Sequence, residues 1–97
     1  MLESHPVILG RVIGDVVSTF KDVAYEGKKI LWVQPVEPNG SPRGEAMISL
    51  DVIGAGAGEL VLVLEEGRGA QELCGLTQPG PIGSAIVGIV DSVALGP

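Results

Sequence analysis

The run Asp51-Val-Ile-Gly-Ala-Gly-Ala-Gly-Glu59 limits what this chain can fold into more than any other stretch. Three glycines alternate with two alanines. A short apolar run lies on each side, residues 46–53 before and Leu60-Val-Leu-Val-Leu64 after. Glycine takes φ > 0 at little steric cost and lets another backbone come close. Gly54, Gly56 and Gly58 therefore predict a tight loop, a close chain-to-chain contact, or both. A connector selected only for solubility would carry Ser, Asn or Asp in place of Ala55 and Ala57. The same residues argue against a nucleotide fingerprint. Gly-x-Gly-x-x-Gly requires a glycine three places beyond Gly56, where Glu59 stands. The short Val/Leu run that follows reads as a strand, so no helix N-terminus is there to hold a pyrophosphate.

The rest of the chain reads as strands separated by Gly- and Pro-rich turns. From Val7 to Val17 the even positions Ile8, Gly10, Val12, Gly14 and Val16 are apolar or small, while Arg11 and Asp15 fall on odd ones. This period of two predicts a first strand with Gly10 and Gly14 on its inward face, where a small barrel needs a kink or a thin side chain. Residues 28–36 form a second strand that ends near Pro35. Pro38-Asn-Gly-Ser-Pro42 is a turn with Asn39-Gly40 at its tip. A third strand covers 45–52, a fourth 60–64 and a fifth 84–93. Between the last two, residues 68–74 are expected to form a short helix stopped by Gly75. Residues 1–6 read as a loose lead-in to a single domain spanning 1–97. The expected class is all-β, a small five-stranded barrel or sandwich.

Composition narrows the function. The 97 residues carry a formal net charge of −6, which opposes binding to nucleic acid or to anionic membrane surfaces. No apolar run approaches the length of a transmembrane helix. The start, Met-Leu-Glu-Ser-His-Pro, has an acid where a signal peptide is basic. A single cysteine, Cys74, allows no intrachain disulfide and fits a reducing cytosol. The chain is 45% apolar with only three aromatic residues, much aliphatic surface for one small core. Part of it is expected to be covered by other subunits.

The residues of catalysis are sparse. The only histidine, His5, sits in the lead-in, and no base accompanies Cys74. One His and one Cys far apart do not make a metal site. Glu65-Glu66 lies in a turn, and Asp51, Glu59 and Asp91 are scattered. Trp32 and Phe20 lack the interleaved basic residues of a single-strand binding surface, so a core or interface role is expected. A lipoyl-type carrier would need a lysine at a hairpin tip, where Asn39-Gly40 stands. The expectation is no enzyme, no cofactor and no metal. An acidic, non-catalytic β-domain with surplus apolar surface points to assembly.

The order of motifs resembles the EutN/CcmL family, the pentameric vertex proteins of bacterial microcompartment shells. The resemblance runs from Val7 to Val93. It rests on Leu9-Gly-Arg-Val-Ile-Gly14, Glu26-Gly-Lys-Lys-Ile-Leu31, Val33-Gln-Pro35, Pro38-Asn-Gly-Ser-Pro42, the Asp51–Glu59 run and Ala85-Ile-Val-Gly-Ile-Val-Asp91. It implies an OB-like barrel assembled as a cyclic homopentamer, located in a microcompartment shell in the cytoplasm beside hexameric and trimeric shell proteins. Gly54, Ala55, Gly56, Ala57, Gly58 and Glu59 are then the candidate residues of a subunit interface or central pore. Two positions depart from the family pattern: Gln71 stands at the usual arginine, and Gly83 where an aspartate is common. Both bear on contacts around the expected helix. The competing reading is a monomeric OB-type domain that binds a small ligand. Sedimentation separates the two.

Overall fold

Alternation of side chains builds the first wall of the molecule. A computed structural model describes residues 7–17, 29–65 and 82–95. In strand β1 (Val7–Asp15), Gly10 and Val12 are buried while Arg11 and Ile13 face outward. Strands β2 (Lys29–Pro35), β3 (Met47–Asp51), β4 (Leu60–Leu64) and β5 (Ala85–Ile89) complete the set. They close into one barrel in the order β1-β2-β3-β5-β4. All neighbouring pairs are antiparallel except β3 with β5. The expected helix over 68–74 and the lead-in lie outside the described residues, and so do His5, Phe20, Gln71 and Cys74.

The strands bury both faces. Leu31, Val33, Val61, Val63, Val12 and Ile86 fill the interior. Ile30, Leu50, Ala85 and Ile82 make a second cluster, with Val16, Ile48 and Leu64 packed against it. Successive residues of β2 (Ile30, Leu31) and β5 (Ala85, Ile86) divide between the two clusters, which places them on opposite faces of one sheet. Two hydroxyls are buried beside this apolar filling. Ser84 Oγ donates to the Ile48 carbonyl at 2.9 Å, and the Ser49 and Ser84 hydroxyls bond each other at 2.8 Å.

Gly10 is the thin position that the alternation predicted. A Cβ built there would collide with Val33 Cγ1 and lie 3.4 Å from the Gln34 carbonyl oxygen. Gly10→Ala is expected to cost about 1–3 kcal/mol by overpacking, read as a lower urea midpoint. An unchanged midpoint would refute the packing argument.

Gly14 departs from the predicted pattern. Val12 pairs with Val33 and Gly14 with Trp32, so a β-bulge leaves Ile13 as an extra residue. A bulge shifts the alternation by one. Ile13 and Gly14 both lie opposite Trp32 on the outer surface, and beyond them Val16 packs against the outer cluster. Trp32 is accordingly no core residue; it is 43% exposed between buried Leu31 and Val33.

The strand directions sort the connections to two ends. The turn at Pro38–Gly40 lies at the end where β1 begins. Its Gly40 amide donates to the Glu37 carbonyl at 2.8 Å, and Asn39 Oδ1 accepts from the Ser41 amide at 3.0 Å. The Asp51–Glu59 run crosses the opposite end, where β1 and β5 finish.

Candidate functional site

The glycine-rich run is held at nearly every residue. Asp51 opens it with an Asx turn, its Oδ1 accepting from the amides of Ile53 at 3.1 Å and Gly54 at 3.2 Å. Gly54 has φ 86°, a conformation glycine adopts without strain. Lys29, which faces Asp51 across the β2–β3 pair, donates through Nζ to the Ala55 carbonyl at 2.8 Å. The Gly56 amide donates to Glu59 Oε1 at 2.6 Å, and the Glu59 amide returns to the Gly56 carbonyl at 3.1 Å. The turn so closed carries Gly58 at φ 88° as its third residue, the type II arrangement. Gly58 and Glu59 then pair with β1. The Gly58 amide donates to the Val12 carbonyl at 2.8 Å, and the Val12 amide to the Glu59 carbonyl at 2.9 Å. Arg11 Nη1 donates to the Gly58 carbonyl at 2.8 Å. A segment with this many bonds is no flexible connector.

The six candidate residues do not share one environment. Ala55 is fully buried and belongs to the interior cluster of Val12, Leu31, Val33, Val61, Val63 and Ile86. Its methyl closes the barrel of its own subunit. Gly54, Ala57 and Gly58 are exposed, and Gly56 and Glu59 are half-buried. Only these five offer surface to another chain. The two basic residues that fix the run, Lys29 and Arg11, were not legible as partners in the sequence. Their signal is the register, which puts Lys29 opposite Asp51 and Arg11 opposite Leu60.

An open groove beside the run is lined by Arg11, Gly58, Glu59, Leu60 and Asp91, among others. Its one guanidinium is already engaged by a backbone carbonyl. Among the described residues no group of three or more His, Cys, Asp or Glu side chains is placed to hold a metal ion. Gly83, the second departure from the family pattern, is half-buried beside the Ser84 hydroxyl described above.

A family model described as ethanolamine utilisation protein EutN/carboxysome matches residues 7–91, almost the whole of this barrel. The chain belongs to the EutN/CcmL family. Among EutN/CcmL proteins, it is 41% identical over 85 residues to the bacterial microcompartment shell vertex protein GrpN of Rhodospirillum rubrum, covering 88% of this chain and 93% of that one. It is 34% identical over 88 residues to the bacterial microcompartment shell vertex protein EutN of Escherichia coli, covering 91% and 90%. The solved structure of the Rhodospirillum rubrum GrpN pentameric microcompartment shell protein superposes with a TM-score of 0.77 at 38% identity, over 92% of this chain and 99% of that one. A pentameric shell protein from the RMM microcompartment superposes with a TM-score of 0.64 at 30% identity, over 86% and 99%.

Proposed function

We infer that this chain is a structural subunit of a bacterial microcompartment shell, located in that shell in the cytoplasm. Five copies form a cyclic pentamer that caps a vertex. The observation that carries this reading is the match of one closed barrel, over almost its whole length, to relatives described as shell vertex proteins and to solved structures described as pentameric shell proteins. The work such a subunit does is geometric. Flat hexagonal tiles cannot enclose a volume, and five-sided tiles supply the missing curvature. A ring forms when a head-to-tail contact repeats through a rotation that closes. On this reading each 97-residue chain is one domain and has no catalytic role, and its neighbours at the vertex are hexameric and trimeric shell proteins. The exposed part of the glycine run, Gly54, Gly56, Ala57, Gly58 and Glu59, then lies at the five-fold axis or between subunits. Small residues there let backbones approach closely. The monomeric ligand-binding alternative is not favoured, since the relatives that the chain matches are described as shell vertex proteins and pentameric shell proteins.

Native mass at micromolar concentration tests the assembly. A mass of five subunits is expected. A sharp single-subunit peak in light scattering at that concentration would sink the vertex reading.

A further inference from the structure

A barrel that closes leaves no strand edge free. Closure then depends on every seam, and one seam here is short. Strands β3 and β5 pair at Leu50–Ala85 and Asp51–Ile86, whereas every other neighbouring pair runs over four or five residue pairs. The short seam is also the parallel one. Parallel pairing is slightly less stable per residue than antiparallel. Its two ends are held differently. At one end Asp51 leads into the glycine run, fixed by the amides of Ile53 and Gly54. At the other end β5 enters the barrel at Ala85, and the residue before it makes the fastening.

Ser84 reaches β3 with its backbone and with its side chain. Its carbonyl accepts from the Leu50 amide at 3.0 Å, and its hydroxyl donates to the Ile48 carbonyl at 2.9 Å. A serine hydroxyl has a single proton, and here Ile48 takes it. The 2.8 Å contact between the two hydroxyls therefore runs from Ser49 Oγ as donor to Ser84 Oγ as acceptor. Three successive residues of β3, Ile48, Ser49 and Leu50, are thereby tied to one residue at the mouth of β5. Ser49 is 0% and Ser84 5% exposed, so a lost partner in this set is costly. Apolar packing also crosses the seam, since Leu50, Ala85 and Ile82 share a cluster. Packing is non-directional. The bonds of Ser84 are directional and hold β5 to one register.

We propose that the β3–β5 seam is where this barrel opens, and that the Ser84 hydroxyl is the latch that holds it shut. Opened there, the strands lie as one sheet in the order β3-β2-β1-β4-β5 with two free edges. The latch belongs to a single barrel and stands whether or not copies assemble. Amide hydrogen exchange of the full chain in low urea, at one protein concentration, tests it. In wild type the Leu50 amide should exchange through an opening that exposes only part of the buried surface, so with a weak dependence on urea. The most protected amides of β1 should follow global unfolding, with a steep one. Ser84→Ala should speed exchange at Leu50 about tenfold, with the dependence still weak. Ser49→Ala should do less, because Ser84 still holds the Ile48 carbonyl. A Leu50 amide as steeply dependent on urea as those of β1 in wild type would show that seam and barrel open together. That result overturns the proposal even if neither variant folds. Unchanged exchange at Leu50 in Ser84→Ala, or a larger effect from Ser49→Ala, would overturn the latch.

Discussion

Ala55→Leu is expected to unfold the subunit more readily, whereas Ala57→Leu leaves its stability unchanged. The two alanines stand two residues apart in the same Gly-Ala-Gly-Ala-Gly run. Ala55 is 0% exposed and its methyl belongs to the interior cluster of Val12, Leu31, Val33, Val61, Val63 and Ile86. Three added carbons would have to displace them. Overpacking of a filled core costs about 1–3 kcal/mol, and more where the backbone cannot yield. Here it is pinned on both sides, by Asp51 Oδ1 at Gly54, Lys29 Nζ at Ala55 and Glu59 Oε1 at Gly56. Small domains are stable by only about 5–15 kcal/mol, so the upper end of the penalty is a large fraction of the total. Ala57 is exposed, and a surface change there stays within about 0.5 kcal/mol. Its effect falls on assembly, if the exposed part of the run is at a packed place.

Urea unfolding at one fixed protein concentration, with native mass measured in parallel, separates the two effects, because association itself raises apparent stability. A midpoint for Ala55→Leu equal to wild type would refute the buried position of this methyl. Folded pentamers of Ala57→Leu would return the exposed half of the run to an ordinary surface turn.

Much of the barrel was legible because its walls follow a period of two. The fourth strand coincides with the expected 60–64, and the other four fall within one to four residues of the expected limits. Gly10 was readable as a thin inward position for the same reason. Periodicity fails where a ladder slips. Nothing in Val-Ile-Gly-Asp announces that Ile13 is extra, yet that one residue carries Gly14 from the interior to the surface and pairs it with Trp32. Trp32 was expected in the core or at an interface, and the register takes it out of the core. The glycine run was legible as a tight segment, but not its division into a buried plug and an exposed turn. That division depends on which way Ala55 points across the open end of a barrel, a long-range fact. Lys29 shows the same limit. In sequence it is half of a Lys-Lys pair, and only the pairing of β2 with β3 brings it to Asp51.

That pairing carries the second large effect. The Asp51 side chain is fully buried, and a bare carboxylate in such a place is costly. It is tolerated because Oδ1 takes two backbone amides and Oδ2 faces Lys29 Nζ at 3.7 Å. Oδ2 receives no hydrogen bond among the described residues, so the amides at Oδ1 and the nearby ammonium hold the charge. Asp51→Ala removes the acceptor of both amides at the point where the glycine run begins. The expected loss is about 3 kcal/mol, from two unpartnered donors and a released turn.

Lys29→Met is expected to cost less, about 1 kcal/mol. Its side chain is 48% exposed, so water screens the ammonium and already offsets much of the attraction. Asp51→Asn should fall between the two, since it keeps an acceptor for the amides of Ile53 and Gly54 but gives up the charge. Amide hydrogen exchange adds a local readout. Ile53 and Gly54 should lose protection in Asp51→Ala and keep most of it in Lys29→Met. If Lys29→Met proved the more damaging, the Lys29 contacts to Asp51 and to the Ala55 carbonyl, and not the Asx turn, would be what anchors the run. Unaltered exchange at both amides in Asp51→Ala would show that the run holds its shape through Glu59, Arg11 and the pairing with β1 alone.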